Sequence, residues 1–419
     1  MVVGGGAREH TLVWKLAQSP KVKEIYTAPG NAGTAQLARN LEISPTDIES
    51  LVKVAQEKKI DLTAIGPETP LVAGIVDQFL ARGLLVFGPT QAAAQIEASK
   101  VFAKELMQKY NIPCAQSTSF SDYGQAKEYV QQQTPPIVIK ADGLAAGKGV
   151  VVADSIPKAL EALSSFMELR TLGTAGDKIV IEEHLSGEEM SAFVFTDTHT
   201  VVPMVPACDY KRIYDGDRGP NTGGMGSYSP PYFFSPALDK TVKETIMEPA
   251  VKALGEEGRP YKGVLYGGLM ITNNGPKVLE FNARFGDPET QVVLPRLKTD
   301  LVDIMLAVVN NNLNQISIEW SEDACVGVVM ASGGYPGNYK TGFPITGLDE
   351  LDEDILAFQA GTKTGSAPRQ VLTNGGRILT VVATGKTIAE ARQKVYNNIS
   401  RIHFEGCHYR RDIAEIEVR

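Results

Sequence analysis

The stretch Leu279-Glu280-Phe281-Asn282-Ala283-Arg284-Phe285-Gly286-Asp287-Pro288-Glu289-Thr290-Gln291 alternates polar with apolar residues in a way that a core strand does not require. On an extended chain successive side chains point to opposite faces, so Glu280 and Asn282 face one way while Leu279 and Phe281 pack the other way. A carboxylate and an amide oxygen thereby converge, and hard cations such as magnesium prefer such ligands. Arg284 on the same face is placed to hold an anion. The stretch predicts a metal and phosphate site, with a solvated strand end as the alternative.

The residues before this stretch predict a β-hairpin. We expect strands over Gly263–Ile271 and Lys277–Asn282, because Asn273-Asn274-Gly275 between them is a strong turn signal. The metal and phosphate site therefore lies at the end of the second hairpin strand, within a unit of about residues 188–312.

Two further units flank this one. Residues 99–110 form a helical pattern, and residues 117–187 predict a small α/β lobe with helices over Gly124–Gln132 and Pro157–Leu163 and strands over Ile137–Lys140, Val150–Val152 and Lys178–Glu183. After about Ser317 the chain is rich in strands, predicted over Cys325–Met330, Ile355–Gln359, Gln370–Leu372 and Ile378–Ala383, and it closes with a helix over Ile388–Ile399.

The first hundred residues alternate short apolar runs with helical patterns. The predicted elements are a strand at Val2-Val3, helix Glu9–Ser19, strand Glu24–Ala28, helix Asp47–Lys58, strand Leu62–Ile65, helix Leu71–Ala81 and strand Leu85–Phe87. This βαβ rhythm predicts a doubly wound parallel sheet. Ligands of such sheets bind at the carboxyl ends of the strands. Those ends carry Gly4–His10, Pro29–Asn31 and Gly66–Glu68, so we expect these loops to face one crevice.

The loop from Lys140 to Gly149 has the composition of a phosphate cover. Glycines such as Gly147 allow close backbone approach, and Lys140 and Lys148 supply positive charge. It is not a Walker A loop, because Gly143 and Gly147 are only three residues apart and Gly149 stands where a Ser or Thr would bind magnesium. A plain turn is the alternative, but it leaves both lysines unexplained.

Residues 182–189 read Glu182-Glu183-His184-Leu185-Ser186-Gly187-Glu188-Glu189, a polar hinge between two lobes. The backbone of such a hinge can meet the edge of a nucleotide base. Glu188 is our candidate for accepting hydrogen bonds from ribose hydroxyls. Taken alone, the segment also fits a solvated connector.

Residues 209–226 are too long and too rich in glycine for regular structure, and long loops of this kind are usually functional or disordered. Asn221, Thr222 and Gly223 offer donors for a carboxylate or phosphate, and Asp209 and Lys211 are further substrate-binding candidates. The turns that contain Lys363 and Arg377 have the same character. For those turns, a structural role alone is an equal alternative.

The first glycine-rich turn argues against a nicotinamide cofactor. Gly4 and Gly6 fit a dinucleotide fingerprint, yet Glu9 occupies the position of its third glycine. Backbone amides at the start of the next helix could still bind a sugar phosphate, assisted by Arg8 and His10. The five histidines show no metal-ligand spacing.

Composition narrows the class of protein. The 419 residues suggest two to four domains, and 43% hydrophobic with 21% charged residues is ordinary for a globular protein without a membrane span. No secretory signal is recognisable, so we expect the cytosol. The four cysteines lie far apart and are expected to be free thiols. A net charge of -8 argues against a nucleic-acid partner.

Several long motifs together resemble one family. The segments GGGAREH, APGN, GPE, IVIKADGLAAGKGV, EEHLSGEE, GPNTGGMGSYSP, EFNARFGDPETQ and TNGGR are similar, in order and spacing, to those of the ATP-grasp ligases and specifically of the phosphoribosylamine–glycine ligase family. The resemblance runs through nearly the whole chain. It implies an α/β and α+β multidomain fold: a Rossmann-like preATP-grasp domain over residues 1–98, a two-lobed ATP-grasp over 99–312 with its small lobe at about 117–187 and its large lobe at about 188–312, and a strand-rich C-terminal domain over 313–419 that completes the substrate site.

The resemblance also implies residue roles. ATP would be bound by Lys100, Lys140, Gly147, Lys148, Glu182, Glu183, Leu185 and Glu188. Glu280 and Asn282 match magnesium or manganese ligands. Arg284 would stabilise the transferred phosphoryl group, Asp287 would hold that arginine, and Lys148 would assist. Contacts to phosphoribosylamine are expected from the turn with Gly4, Gly6 and Arg8 and from Asn31, Glu68, Lys363 and Arg377.

The implied reaction joins glycine to 5-phosphoribosylamine with ATP, through glycyl phosphate, in purine biosynthesis. Another ATP-grasp carboxylate–amine ligase is the nearest alternative. A nucleotide-binding sensor without chemistry predicts loss of the phosphate and metal residues, yet Lys140, Glu280 and Arg284 are all present. We take a monomer as the working hypothesis for assembly.

Overall fold

A computed structural model of the chain describes residues 1–143 and 149–415. The first domain is a parallel sheet with strand order β3-β2-β1-β4-β5. Val2 packs on the side of α1 and Val3 packs on the opposite side with α2, α3 and α4, so both sheet faces are covered. The elements are β1 (Val2–Gly4), α1 (Ala7–Leu16), β2 (Tyr26–Pro29), β3 (Arg39–Asn40), α2 (Ile48–Glu57), β4 (Thr63–Ile65), α3 (Glu68–Val72), α4 (Ile75–Leu80), β5 (Val86–Phe87) and α5 (Gln91–Ala98). The predicted doubly wound sheet is confirmed.

The structure has two helices where the sequence predicted a single one in this domain. The pattern over Leu71–Ala81 is divided between α3 and α4, because Gly74 takes a left-handed conformation with φ of 87°. A residue in that conformation ends a helix, and glycine adopts it at little cost.

The second unit is a four-stranded antiparallel sheet with strand order β6-β9-β7-β8. Its elements are α6 (Lys100–Lys109), β6 (Ser117–Phe120), α7 (Tyr123–Gln131), β7 (Ile137–Ala141), β8 (Val150–Ala153), α8 (Ile156–Leu163) and β9 (Ile179–Glu183). Ile139 and Ile181 pack in a core with α7 and α8. Because strand side chains alternate, Lys140 and Glu182 project from the other face. The sequence did not predict β6.

The third unit is built on a second antiparallel sheet, with strand order β11-β10-β16-β17. The elements are β10 (Glu188–Asp197), β11 (Val201–Pro203), β12 (Cys208–Asp209), β13 (Arg212–Tyr214), β14 (Arg218–Asn221), β15 (Gly226–Ser229), α9 (Pro236–Val242), α10 (Glu248–Glu256), β16 (Lys262–Thr272), β17 (Gly275–Asn282), α11 (Thr290–Val293) and α12 (Leu301–Val309). The hairpin of β16 and β17 confirms the prediction from its Asn-Asn-Gly turn.

The remaining strands form a five-stranded sheet with order β12-β15-β18-β23-β20 and a three-stranded sheet with order β19-β22-β21. They are β18 (Ala324–Ala331), β19 (Pro344–Ile345), β20 (Ile355–Gln359), β21 (Thr362–Thr364), β22 (Val371–Thr373) and β23 (Arg377–Gly385), followed by α13 (Ile388–Ile399). Ala391, Val395 and Ile399 of α13 pack against the larger sheet.

Residues 209–226 have more regular structure than we expected. β12 and β15 pair with each other and extend the C-terminal sheet, and β13 pairs with β14. The buried guanidinium of Arg410 holds this segment through Asp217 at 2.8 Å and through its stacking on the ring of Tyr210. The expectation of an irregular loop was wrong because β18, which pairs with β15, and Arg410, which holds Asp217, lie far away in the sequence.

Two polar side chains of the first domain join it to β20. Asn31 donates to the carbonyl oxygens of Gly5 at 3.0 Å and Gln359 at 2.7 Å, and it accepts from the amides of Gly33 and Thr34. His10 Nδ1 accepts from the amide of Gln359 at 2.8 Å. The first and last parts of the chain are therefore held together by buried hydrogen bonds.

All four cysteines lie within the described residues, and none of them forms a disulfide bond. Cys208 and Cys325 are buried, while Cys114 and Cys407 are half-buried. Within residues 1–143 and 149–415, no helix combines the length and apolarity that crossing a bilayer requires.

Asn31→Ala removes the hydrogen bonds that join the first domain to β20. We expect the free energy of unfolding to fall by about 2–4 kcal/mol, because several buried groups lose their partner at once. Chemical denaturation measures this value. Asn397→Ala on the exposed face of α13 is the control and should change stability by less than about 0.5 kcal/mol. Equal effects of the two variants would contradict the assignment.

Candidate active site

Glu280 and Asn282 lie at the end of β17, opposite Gly268 and Tyr266 of β16. Both side chains are half-buried, and Phe281 between them is buried in the main core. Among the described residues, neither side chain has a hydrogen-bond partner. The two oxygen donors therefore share one face, as the alternation predicted, and are available to a ligand.

Leu279 departs from the predicted alternation. The pairing shifts between Gly268 and Leu269, so Leu279 is an extra residue in β17 without a partner opposite. Such a bulge redirects a side chain. Leu279 packs beside Ala115, Leu185 and Met270 and not with Phe281 in the main core. Our expectation for Leu279 was therefore wrong. The bulge places Leu279 with these three residues in an apolar cluster next to Glu280, which we call the apolar wall.

Two lysines approach this wall from the second unit. Lys140 Nζ donates to the carbonyl oxygen of Leu279 at 2.9 Å and lies 3.0 Å from Glu182 Oε2. Lys100 Nζ donates to the carbonyl oxygen of Gly143 at 3.1 Å. Burial lowers the pKa of Lys100, and the charge of Glu280 opposes that effect. Glu280 and the two ammonium groups thus belong to one electrostatic cluster. The predicted phosphate contacts Gly147 and Lys148 lie outside the described residues.

The hinge residues occupy the edge of the same cleft. Glu182 is buried, whereas Glu183 accepts from the amide of Gln116 and pairs with Lys277 at 3.1 Å. Leu185 is buried in the apolar wall, and Glu188 is exposed at the start of β10. The structure therefore brings all four predicted hinge residues to the side of the cleft that carries Leu279.

Arg284 is held by two carboxylates that the sequence did not connect to it. Its Nε lies 3.0 Å from Glu68, and its Nη2 lies 2.9 Å from Glu97. These charges raise the pKa of Arg284 despite its burial, and Arg284 lowers the pKa of Glu68 against the opposing effect of burial. Glu97 was missed, since it lies in a helical pattern with no motif around it. The predicted pairing of Asp287 with Arg284 is wrong.

Asp287 instead pairs with Arg377 of β23 at 2.9 Å and accepts from Gln291 at 2.8 Å. Arg377 also donates to the carbonyl oxygen of Gly223 at 2.6 Å, and the amide of Gly223 donates to the Tyr335 hydroxyl at 3.0 Å. The predicted candidates Asp287, Arg377 and Gly223 therefore meet in one crevice. Tyr335 was missed, because nothing in the sequence relates it to Gly223.

The remaining substrate-binding candidates Thr222, Asn221 and Lys363 differ in their exposure. Thr222 is buried and donates its hydroxyl to the carbonyl oxygen of Lys211 at 2.8 Å. Asn221 is exposed at the end of β14, opposite Arg212. Lys363 is exposed on β21.

The first glycine-rich turn borders the crevice from the other side. Gly4 has φ of 127°, and a Cβ on Gly6 would lie 3.6 Å from Asp287 Oδ2. The amide of Gly6, which we expected to be available to a sugar phosphate, donates to Glu9 at 2.6 Å. Arg8 contacts Glu9 at 2.6 Å and donates to the carbonyl oxygen of Phe285 at 3.2 Å.

His10 does not join Arg8 at this border. It is buried against Gln359, and burial lowers its pKa to about 4, so its ring is neutral near pH 7. The suggestion that His10 assists in binding a phosphate has no support in this geometry.

An acidic cluster surrounds Lys211, and its members range from the exposed Glu189 to the buried Glu289. Lys211 pairs with Glu189 at 2.5 Å and with Asp209 at 2.9 Å. Glu289 accepts from the Ser191 hydroxyl at 3.2 Å, and burial together with the charge of Asp209 raises its pKa to about 7. The sequence identified Asp209 and Lys211 but not Glu289, although Glu289 lies in the first motif quoted.

The site thus combines contacts between two antiparallel sheets, through Lys140 and Leu279, with carboxylate and amide oxygens at a strand end. Lysines face these oxygens, and an arginine lies beside a crevice that three parts of the chain line. This combination defines an ATP-grasp ligase. Family models for the N, ATP-grasp (A) and C domains of phosphoribosylglycinamide synthetase match residues 1–97, 98–290 and 325–416. The chain belongs to the phosphoribosylglycinamide synthetase family, also called the phosphoribosylamine–glycine ligases.

Known proteins support this membership along the whole chain. The phosphoribosylamine–glycine ligase of Halalkalibacterium halodurans is 51% identical, over 99% of this chain and 96% of that protein. That of Escherichia coli strain K12 is 49% identical, over 99% and 97%. The crystal structure of the Thermotoga maritima phosphoribosylamine–glycine ligase has a TM-score of 0.85 at 36% identity and covers 99% of both chains. The biotin carboxylase domain of Hydrogenobacter thermophilus 2-oxoglutarate carboxylase, at TM-score 0.74, 14% identity and coverage of 97% and 91%, shares the fold.

Glu289→Gln tests the buried carboxyl of the acidic cluster around Lys211. A carboxyl whose folded pKa is about 7 keeps its proton in the folded state after the unfolded chain has lost it, so its contribution to stability falls as pH rises from about 4.3 to about 7. We expect the stability of the variant relative to the parent to increase by about 2–3 kcal/mol between pH 5 and pH 8. Denaturant unfolding at both pH values measures this difference. A pH-independent difference would contradict the assignment.

Proposed function

We propose that this enzyme ligates glycine to 5-phosphoribosylamine, with ATP converted to ADP and phosphate and with glycinamide ribonucleotide as the product. This reaction is a step of de novo purine biosynthesis. The observation that carries the proposal is the identity of about half of all residues, over 99% of the chain, with relatives named phosphoribosylamine–glycine ligase. The short stretch from Leu279, which contacts Lys140, to Asp287, which pairs with Arg377, supports it.

The chemistry requires an activated carboxylate. An amine cannot displace oxide from glycine, so the carboxylate is first phosphorylated by ATP, and the amine then displaces phosphate from glycyl phosphate. Charge spreads over the transferred group, and fixed cations stabilise it without reorganisation. We assign this role to Lys140, Lys100 and Arg284, together with Lys148 of the loop. Arg284 is suited to it because Glu68 and Glu97 prevent its side chain from moving.

The donor set at the end of β17 fits a divalent cation. Glu280 and Asn282 present oxygen atoms on one face without hydrogen-bond partners among the described residues, and such oxygens suit magnesium. We propose that they hold Mg²⁺, with Mn²⁺ as an alternative. When bound, the ion would neutralise phosphate charge.

The nucleotide base fits the apolar wall of Leu185 and Leu279, beside Glu182 and Glu183. Glu188 at the start of β10 is our candidate for the ribose hydroxyls. For phosphoribosylamine we propose the crevice lined by the turn with Gly4, Gly6 and Arg8 and by Asn31, Glu68, Asn221, Thr222, Gly223, Lys363 and Arg377. Asp209 and Lys211 are our candidates for glycine, because they pair with each other and Asp209 lies close enough to Glu280 for the two charges to interact.

The division into domains at residues 98 and 312 remains our proposal, as do a cytosolic location and a monomeric state. Another ATP-grasp carboxylate–amine ligase is the alternative function. It shares the nucleotide cleft and differs only in the crevice.

The first test measures ADP release with ATP, magnesium, glycine and freshly generated phosphoribosylamine, each omitted in turn, and detects glycinamide ribonucleotide by mass. We expect release that requires every component and yields the product. Release that is indifferent to glycine or phosphoribosylamine would overturn the substrate assignment and favour the alternative ligase.

Glu280→Ala removes the carboxylate of the proposed metal site. We expect turnover to fall at least about a thousandfold, because the charge of the transferred phosphoryl group loses its main counterion. The fold should persist, since Glu280 has no hydrogen bond to another described side chain. Steady-state kinetics and thermal unfolding are measured together, with the exposed Glu161→Ala of α8 as the control. An active Glu280→Ala variant would contradict the proposal that Glu280 binds the metal ion.

A further inference from the structure

A turn of the C-terminal domain carries Tyr335, to which no motif assigns a role. The turn is tied to the backbone just before Arg377: the amide of Ser332 donates to the carbonyl oxygen of Gly376 at 2.8 Å, and its hydroxyl donates to that of Gly375 at 2.9 Å. The ring of Tyr335 lies against Gly376, where a Cβ would overlap it. Tyr335 and Arg377 are therefore held in a fixed position relative to each other.

These two side chains grip Gly223 from both sides. The amide of Gly223 donates to the Tyr335 hydroxyl at 3.0 Å, and its carbonyl oxygen accepts from Arg377 Nη1 at 2.6 Å. The guanidinium lies against the glycine, since a Cβ on Gly223 would be 3.1 Å from Arg377 Cζ. Gly223 and Gly224 follow each other, and glycine backbone adopts many conformations. The C-terminal domain thus fixes a backbone that would otherwise have considerable freedom.

Arg377 keeps two hydrogen-bond donors for another partner. A guanidinium has five N–H groups. Nη1 donates to the carbonyl oxygens of Gly223 at 2.6 Å and Asp287 at 3.1 Å, and Nη2 donates to Asp287 Oδ2 at 2.9 Å. Within residues 1–143 and 149–415, Nε and the second hydrogen of Nη2 have no acceptor. The side chain is 21% exposed, so a ligand in the crevice can reach it.

The position of Arg377 indicates which anion these donors meet. Arginine donors suit phosphate oxygens. The phosphates of ATP are assigned above to Lys140 and Lys100, which contact the chain before Arg284. Arg377 instead pairs with Asp287, after Arg284, in the crevice between the first and last parts of the chain. The phosphate that fits this place is therefore that of phosphoribosylamine.

We propose that Tyr335 is a positioning residue for phosphoribosylamine: its hydroxyl fixes Gly223, and Gly223 with Asp287 holds the guanidinium of Arg377 so that its two remaining donors bind the substrate phosphate. The proposal rests on the proposed ligase function. Without the hydroxyl, the amide of Gly223 turns toward water, and Arg377 loses a fixed acceptor. A group that is ordered before binding costs less entropy when the ligand binds. Loss of the hydroxyl therefore weakens binding of the amine and not of ATP.

Tyr335→Phe in the full chain tests this role, because it removes only the hydroxyl. Initial rates are measured with phosphoribosylamine varied at saturating ATP, magnesium and glycine, and then with ATP varied. We expect KM for phosphoribosylamine to rise at least about fivefold, while kcat and KM for ATP stay within about twofold of the parent values.

The same loop supplies a matched control. The ring of Tyr339 is 42% exposed and lies 6.3 Å from the ring of Tyr335, and its hydroxyl has no hydrogen bond in the part of the chain that the structure describes. Tyr339→Phe removes the same atom from a neighbouring ring. It should keep all three kinetic constants of the parent.

A double variant tests whether Tyr335 acts through Arg377. Arg377→Lys keeps the charge but cannot bond to Gly223 and Asp287 together, so we expect KM for phosphoribosylamine to rise at least about tenfold. Two residues that act through one contact have non-additive effects. Adding Tyr335→Phe to Arg377→Lys should therefore change this KM by less than about twofold.

Three results would overturn the proposal. The first is an unchanged KM for phosphoribosylamine in Tyr335→Phe, and the second is an equal rise of KM for ATP, which would indicate a general structural role. The third is a double variant in which the two effects multiply. Thermal unfolding reports whether each variant is folded. If Tyr335→Phe does not fold, Ser332→Ala decides the question, because it removes a tie between the two turns.

Failure of the ligase function has a different signature. It would appear as missing glycinamide ribonucleotide with the parent chain itself. Titration calorimetry with ribose 5-phosphate, a stable probe for the phosphate site, still compares the parent with Tyr335→Phe in that case. Weaker binding by the variant supports the role of Tyr335, and equal binding contradicts it, so the two failures are distinguishable.

Discussion

The site depends on the guanidinium of Arg284, held between Glu68 of the first domain and Glu97 of α5. Glu97 also accepts from the amide of Ala283, so the backbone before Arg284 is fixed by the same carboxylate. A buried ion pair is stable only when close contacts and further hydrogen bonds offset the loss of hydration. Arg8, which pairs with Glu9, adds a second cation near both carboxylates. Because these groups come from separate segments, their contacts fix the end of β17 relative to the first domain.

Because of that position, the polar side chains on the two sides of Arg284 face different parts of the site. Before Arg284, Glu280 and Asn282 face the lysines of the second unit. After Arg284, Asp287 joins Arg377 in the crevice between the first and last parts of the chain. In the proposed mechanism, a group transferred near Arg284 travels a short way from the nucleotide toward the amine, which favours reaction over hydrolysis of an acyl phosphate.

Local patterns explain which parts of this arrangement could be predicted. The βαβ rhythm, the Asn-Asn-Gly hairpin and the common face of Glu280 and Asn282 each depend on residues close together in sequence. Leu279 was misplaced because a bulge adds one residue to a strand and shifts the alternation. Asp287 was given the wrong arginine because its partner, Arg377, lies ninety positions further along the chain.

Many conspicuous polar residues of the motifs are satisfied within the chain. Glu9 binds the amide of Gly6, Asn31 joins two domains, and His10 is neutral against Gln359. Each fixes a loop whose backbone borders the crevice. In contrast, Glu280 and Asn282 have no side-chain hydrogen bond within the described residues. A site that stabilises the charge on a group during its transfer needs its own charged side chains held in place before the reaction. Reorganising them during the reaction would raise the activation barrier. The internal hydrogen bonds of the motifs thus fix the frame, and the unpaired oxygens within it are left for ligands.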